Sequence, residues 1–221
     1  MKNISRRNAL LLSTALLAGA ALPAWSAEPA APHFVTLSTP LTAQAAKGEI
    51  DVVEMFWYGC PHCDAFEAPL KAWIARQPKD VKVRRIPGVM TEMWEPAAQL
   101  YYTLESLGQH ERLHAQIFDA EHREGSLQVA SRNETKYADW AAQRGVDRAA
   151  FLTAWKSDAV AEKIKQAKGL VKELKARKIG VPLIVVDGRL VTNAGMTGDH
   201  DDTLKMADQL IARVRAEHAK K

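Results

Sequence analysis

Cysteine is scarce in this chain: its 221 residues include two, Cys60 and Cys63, with only Pro61 and His62 between them. That scarcity excludes a disulfide-stapled scaffold, which needs bridges between distant segments. A bridge from Cys60 to Cys63 would close almost no loop, so the pair is read as chemistry rather than as a staple. Long apolar runs are also few. One uncharged, mostly apolar stretch, Ala9 to Leu22, lies near the start and is too short to span a bilayer comfortably. No second such run is present, and no internal repeat is visible. A strong excess of one charge sign is missing as well. Lys2, Arg6 and Arg7 supply three of the thirty basic residues, and what remains nearly balances the 26 acidic ones. The net charge of +4 therefore gives no ground for nucleic-acid binding.

The beginning of the chain reads as an export signal. Lys2, Arg6 and Arg7 form a positive head, the Ala9–Leu22 run comes next, and Pro23-Ala24-Trp25-Ser26-Ala27 offers small residues where a signal peptidase cuts. Residues 1–26 are expected to be a signal peptide cleaved after Ser26 or Ala27, which places the mature protein outside the cytoplasm. Ser5-Arg6-Arg7 leaves a twin-arginine route open beside the general one. Residues 28–32 form a short Ala/Pro tether. The chain is 47% hydrophobic overall, and its mature part is long enough for one globular unit or a domain carrying an insertion.

Periodicity divides that unit. Phe34 to Leu37 suggests a short strand, and Ile50 to Trp57 a stronger one, rich in β-branched and aromatic residues. From Cys60 the pattern turns helical: Phe66, Leu70, Trp73 and Ile74 share a face, with a kink expected at Pro69. Val81 to Ile86 reads as a third strand. The stretch 91–178 is helical in character, with helices expected at Gln99–Leu107, Gln109–Ala120, Glu134–Arg144, Ala149–Ser157 and, as one long rod, Ala159–Lys178. Lysines 163, 165, 168, 172, 175 and 178 on that rod, interrupted by Glu162 and Glu173, read as a solvated face. Strands return at Leu183–Val186 and Arg189–Thr192 around Asp187-Gly188, and Leu204–Val214 closes the chain as an amphipathic helix. The fold class is α/β: strands at both ends surround an all-helical insertion.

A Cys-x-x-Cys that ends a strand–turn and opens a helix places its first sulfur beside unpaired N–H groups and the positive end of the helix dipole. Both favour the thiolate, the species that attacks and leaves in disulfide exchange. Cys63, one turn further in, is expected to be less exposed and to resolve the mixed disulfide. An imidazole at His62 would stabilise the Cys60 anion further, at about 1.4 kcal/mol per pKa unit. Glu54 is an acid in an otherwise apolar strand and needs a partner if buried; Arg84 and Arg85 are both available. Pro182, from the residues alone, is a strand-starting proline with an ordinary trans bond.

Glu54-Met55-Phe56-Trp57-Tyr58-Gly59-Cys60-Pro61-His62-Cys63, then Arg177-Lys178-Ile179-Gly180-Val181-Pro182-Leu183 with a helical block between them, resemble the DsbA family across essentially the whole mature chain. The resemblance implies a thioredoxin fold interrupted by an all-helical insertion, with residues 33–90 plus 179–218 as the thioredoxin-like domain and 91–178 as the insertion and connecting helix. It implies a periplasmic thiol-disulfide oxidase whose only redox group is the Cys60–Cys63 pair, with no cofactor and no metal. Within the site it implies roles for Pro61 and His62 between the cysteines, a cis bond at Val181-Pro182 facing them and binding extended substrate, and Glu54 as proton relay for Cys63. Its implied partners are unfolded or translocating exported proteins and a DsbB-like quinone-linked membrane protein for re-oxidation, with the oxidase itself a monomer.

Two other readings stand beside this one. A disulfide isomerase or reductase would keep the chemistry and reverse the electron flow; too few residues separate the signal from the first strand for the extra dimerisation domain such proteins carry. A zinc module would join Cys60 and Cys63 to His110 and His114, four apart on an expected helix. Met90, Met93, Trp94 and the Thr192–Met196 loop are candidates for an apolar substrate groove.

Overall fold

The computed structural model describes residues 33–42 and 44–220; the expected signal peptide at 1–26 and the tether at 28–32 lie outside them. Five strands form one sheet: β1 (Val35–Thr36), β2 (Ile50–Phe56), β3 (Val81–Pro87), β4 (Leu183–Val186) and β5 (Leu190–Thr192), in the order β1-β5-β4-β2-β3. β2 and β3 run parallel, which requires a crossover; α1 (Pro61–Ala75) supplies it. The β4–β5 hairpin and the β2–β4 and β1–β5 pairs are antiparallel. Every residue of the inner strand β2 is buried, as a strand covered on both faces requires. β3 is an edge, and its polar residues Lys82, Arg84 and Arg85 reflect that position.

One face of the sheet packs on α1 and on the last helix, α9 (His200–His218). Ile50, Val52, Ile184 and Val186 meet Phe66, Leu70 and Trp73 of α1 and Leu204, Ile211 and Val214 of α9. Trp73 Nε1 donates to Asp208 Oδ1 at 2.8 Å, tying the two helices. The opposite face, through Val53, Met55, Leu183 and Val185, joins the core of the inserted helices. Fully burying side chains of this size contributes about 1.5–3 kcal/mol each relative to leaving them in water.

The insertion comprises a 3₁₀ turn (Glu92–Trp94) and helices α2 (Glu95–Ser106), α3 (His110–His122), α4 (Glu134–Ala142), α5 (Arg148–Trp155), α6 (Asp158–Leu170) and α7 (Lys172–Ala176). Side chains cap three of them: Asn133, Asp147 and Ser157 accept from the backbone N–H three residues on. α2 begins four residues before the position expected from periodicity. Pro96 occupies its first turn, where the missing N–H is harmless, so the proline starts the helix instead of delaying it. The single rod expected over Ala159–Lys178 is two helices parted at Val171. Gly169, the weakest helix former there, lies beside the break, and Val171 is buried. α1, by contrast, continues across Pro69, with Phe66, Leu70 and Trp73 on both sides of it buried on one face. A short helix, α8 (Ala194–Thr197), comes after β5 where the sequence suggested only a loop.

Candidate active site

Cys60 is the N-cap residue of α1, in extended conformation, and no side-chain oxygen caps the helix. Pro61 at the first helical position has no N–H to satisfy. The Cys63 and Asp64 N–H groups both donate to the Cys60 carbonyl at 3.1 Å, so the sulfur itself takes no capping bond; it sits beside the positive end of the helix, where the nearby N–H groups of His62 and Cys63 favour its anion. The hydrogen bond from the Cys63 thiol is the largest influence on Cys60. Burial opposes it, the backbone N–H groups of Cys63 and His62 add to it, and the His62 charge comes last. The result holds Cys60 down at about 6. His62 thus contributes more through its backbone than through its imidazole, which is exposed. Cys63 is completely buried, and burial pushes its thiol far above the ordinary range. Both cysteines are present as thiols.

Behind Cys63 lies a group of buried ionisable side chains. Glu54 is fully buried in β2; its Oε2 accepts from Arg85 Nε at 3.0 Å, while Oε1 has no partner among the described residues. Arg84 instead pairs with Asp51, at 2.9 Å through both Nε and Nη2. Arg85 Nη2 also reaches Glu67 of α1 at 3.5 Å, and Glu67 accepts from His114 Nε2 at 3.0 Å. The other ring nitrogen of His114 meets the Tyr58 hydroxyl at 2.8 Å. Burial, reinforced by the Glu67 charge, pushes Glu54 up to about 8 against the pull of Arg85. Burial would raise Glu67 too, but the His114 hydrogen bond and the charges of His114 and Arg85 outweigh it and hold that carboxyl below its ordinary value. Burial lowers His114, with Glu67 resisting.

On the other side of Cys60 the Val181-Pro182 peptide bond is cis, as the family resemblance implies, and Val181 O accepts from Cys60 Sγ at 3.8 Å. Asn193, after β5, donates from Nδ2 to Gly180 O at 3.1 Å and so holds this loop from behind. Trp57 stacks on Trp94 with ring centroids 4.5 Å apart and planes 2° from parallel. Gly59 is required by that ring: a Cβ there would lie 2.4 Å from Trp57 Cζ2. Asn193, His114 and Glu67 carry no local sequence pattern that marks them, since each is brought to the site by packing between elements distant in the chain. Gly59 could have been found from its place between an aromatic pair and the first cysteine.

The zinc set of Cys60, Cys63, His110 and His114 is not assembled. His114 is engaged with Glu67 and Tyr58, and His110 Nε2 lies 3.2 Å from Glu111. Glu54, Glu67 and His114 do bring ligand-type atoms within 4.8 Å of one another, but the Arg85 guanidinium already supplies the positive charge between the two carboxylates. The expected apolar groove is also revised: Met90 and Thr192 are buried, Trp94 is committed to the stack, and Met93 alone of the named residues is a largely exposed hydrophobe, at 60%.

A Cys-x-x-Cys at a helix start, a cis-proline beside its first sulfur and a buried acid behind its second, all on this sheet, define a thioredoxin-like thiol-disulfide oxidoreductase. The DSBA-like thioredoxin domain family matches residues 85–210. The thiol:disulfide interchange protein DsbA of Pseudomonas syringae pv. tomato is 38% identical over 212 residues, covering 94% of this chain and 96% of that protein. Its Pseudomonas aeruginosa counterpart is 38% identical over 210 residues, with 93% and 97% covered. Among solved structures, oxidoreductase DsbA from Xylella fastidiosa superposes with a TM-score of 0.76 at 34% identity, covering 83% of this chain and 96% of that one. Pseudomonas aeruginosa DsbA gives 0.76 at 38% identity, with 86% and 95% covered. The chain belongs to the DsbA family of thiol:disulfide interchange proteins.

Proposed function

We propose that this protein is an exported, periplasmic oxidase that transfers its Cys60–Cys63 disulfide to unfolded or translocating proteins. The observation that carries this reading is the contrast between the sulfurs: Cys60 partly exposed and held down at about 6, Cys63 buried and held far up. A substrate thiolate attacks Cys60 Sγ, the bond to Cys63 breaks, and the electron pair leaves on Cys63. That buried anion needs a proton. Glu54, neutral up to about 8, is suited to give it. A second substrate thiolate then attacks the substrate sulfur of the mixed disulfide and expels Cys60 as a stabilised thiolate. The substrate leaves with one disulfide and the enzyme with Cys60 as thiolate and Cys63 as thiol.

Re-oxidation reverses the roles. Cys60 attacks a disulfide of the partner, Cys63 returns its proton to Glu54 and closes on Cys60, and the partner departs reduced. A quinone-linked membrane protein of the DsbB type fits that step. The backbone of the cis-proline loop at Val181 and Pro182, which lies beside Cys60, is suited to pair with an extended substrate segment. Pro61 leaves the first turn of α1 without an N–H of its own, and His62 contributes its N–H and its charge. We assign residues 33–90 and 179–218 to the thioredoxin-like domain and 91–178 to the insertion, and expect a monomer.

Equilibrating the purified protein with glutathione tests the direction of electron flow. A strongly oxidising pair, reduced by modest glutathione, is expected; a strongly reducing pair would overturn the oxidase reading.

A further inference from the structure

The C-terminal end of α3 grips the redox loop on both flanks. His122 Nε2 donates to Tyr58 O at 2.8 Å, two residues before Cys60. Arg123, the next residue, bonds Asp64, the residue after Cys63, through Nη1–Oδ2 at 2.8 Å and Nη2–Oδ1 at 3.0 Å. Arg123 also bonds Asp119 on its own helix. The insertion therefore reaches the thioredoxin-like part of the molecule at the two places where the Cys-x-x-Cys segment begins and ends.

Asp64 stands in the first turn of α1. A carboxylate there is favourable to the helix dipole. It is also a second negative charge in the turn that carries the Cys60 thiolate, and the two share the same partial positive charge of the helix end. Asp64 is the more sheltered partner of its ion pair, with 17% of its side chain exposed against 55% for Arg123, so solvent screens it less than a free surface carboxylate. The other charged groups around this end of α1 are already committed or point elsewhere. Glu67, one turn along, is held by His114 and Arg85; Asp119 shares Arg123; His62 is exposed; and His200 at the start of α9 packs on Phe66.

We propose that Arg123 of the helical insertion is a positioning residue for disulfide exchange: its two-pronged bond neutralises Asp64 and keeps that carboxylate from opposing the Cys60 thiolate, while His122 fixes the opposite flank of the loop. The insertion then tunes the oxidising strength of a cysteine pair carried by the other part of the fold. The inference rests on Cys60 being the activated sulfur, and its test separates the two claims.

The test titrates Cys60 in the reduced protein by thiolate absorbance in the ultraviolet, for wild type, Arg123→Gln, Arg123→Lys, Asp64→Asn and the Asp64→Asn/Arg123→Gln double variant, with the glutathione equilibrium measured alongside. Arg123→Gln is expected to lower the thiolate-to-thiol ratio about threefold at a given pH, the scale of one partly screened charge contact. The equilibrium against glutathione should move by the same factor toward a weaker oxidant. Arg123→Lys keeps the charge and should stay near wild type. Asp64→Asn should move the ratio the other way, and in its background Arg123→Gln should change little. An equal shift from Arg123→Gln in both backgrounds, or none in either, overturns the proposal, as does a lowered melting temperature with an unmoved Cys60 titration. If Arg123→Gln does not fold, Asp64→Asn alone decides, since an unchanged or decreased thiolate ratio overturns the proposal. A wild-type midpoint at the ordinary thiol value would overturn the assignment of Cys60 itself, whereas a depressed midpoint insensitive to Arg123 removes only the role of the insertion.

Discussion

Cys60 and Cys63 are one helical turn apart, yet the helix treats them as opposites. Cys60 sits ahead of the first turn, where the positive end of the helix and the nearby N–H groups of His62 and Cys63 favour its anion. Cys63 sits inside the turn with its side chain in the core, where an anion would have to forgo water, and a buried acid lies on the same side. The same backbone element stabilises one thiolate and forbids the other. Two chemically identical residues become a nucleophile and a reserve because of a displacement of a few ångströms across a helix end.

The sharpest way to break that contrast is to remove each sulfur in turn. Cys60→Ser is expected to abolish oxidation of a reduced two-cysteine peptide outright. Cys63→Ser should retain attack but halt at the mixed disulfide, visible as a covalent adduct on non-reducing gels. Adducts from Cys60→Ser instead would reverse the assignment.

Glu54→Gln probes the buried side. Folded Glu54 keeps its proton up to about 8, whereas an unfolded glutamate releases it near 4.5. Between those values the folded state binds more protons, so stability falls as pH rises through the window. The variant should lack that fall, a difference on the order of 4 kcal/mol at the alkaline end, measured by denaturant unfolding at a series of pH values. Resolution of the mixed disulfide should also slow in Glu54→Gln and lose its pH dependence. A profile identical to wild type would remove Glu54 from the proton path.

The exposed side predicts the opposite slope. Folded Cys60 gives up its proton at about 6 and an unfolded cysteine near 9.0. The reduced protein should therefore gain stability as pH rises from about 6 to 9, and lose it as pH falls through 6, by about 2 kcal/mol once the partial exposure of Cys60 is allowed for. The disulfide form has no such thiol and should lack this rise. Smallest of the four is the effect of Cys63→Ala: it deletes the leading hydrogen bond to Cys60 and should raise the Cys60 midpoint by about one unit, while Cys63→Ser, which keeps a donor, should raise it less.

The sequence made the nucleophile legible because its environment is local. A strand, a Tyr-Gly turn and a helix opened by Cys-Pro place Cys60 at a helix cap with no reference to the rest of the chain. The environment of Cys63 and Glu54 is assembled from β2, α1, β3 and α3, and only part of it could be read. The choice between Arg84 and Arg85 illustrates the reason. Residues directly paired in a parallel ladder point to the same side, and β2 pairs Glu54 with Arg85 and Val53 with Arg84. Given the register, Arg85 must be the partner; a slip of one residue would have made it Arg84. Nothing in the composition of either strand fixes that register, and the break at Val171 and the early start of α2 depart from the periodic pattern for a similar reason. In each, burial or a proline placed at a harmless position overrode a periodic pattern.

The edge strand β3 has a consequence for a protein that handles extended polypeptide. Its row of outer N–H and C=O groups is a template on which any unfolded chain could add a strand. Lys82 puts an exposed charge on that row, Arg84 and Arg85 being turned to Asp51 and Glu54, and Pro87 ends it with a residue that has no N–H to offer. An unfolded chain that meets β3 is thereby discouraged from adding to the sheet along that edge.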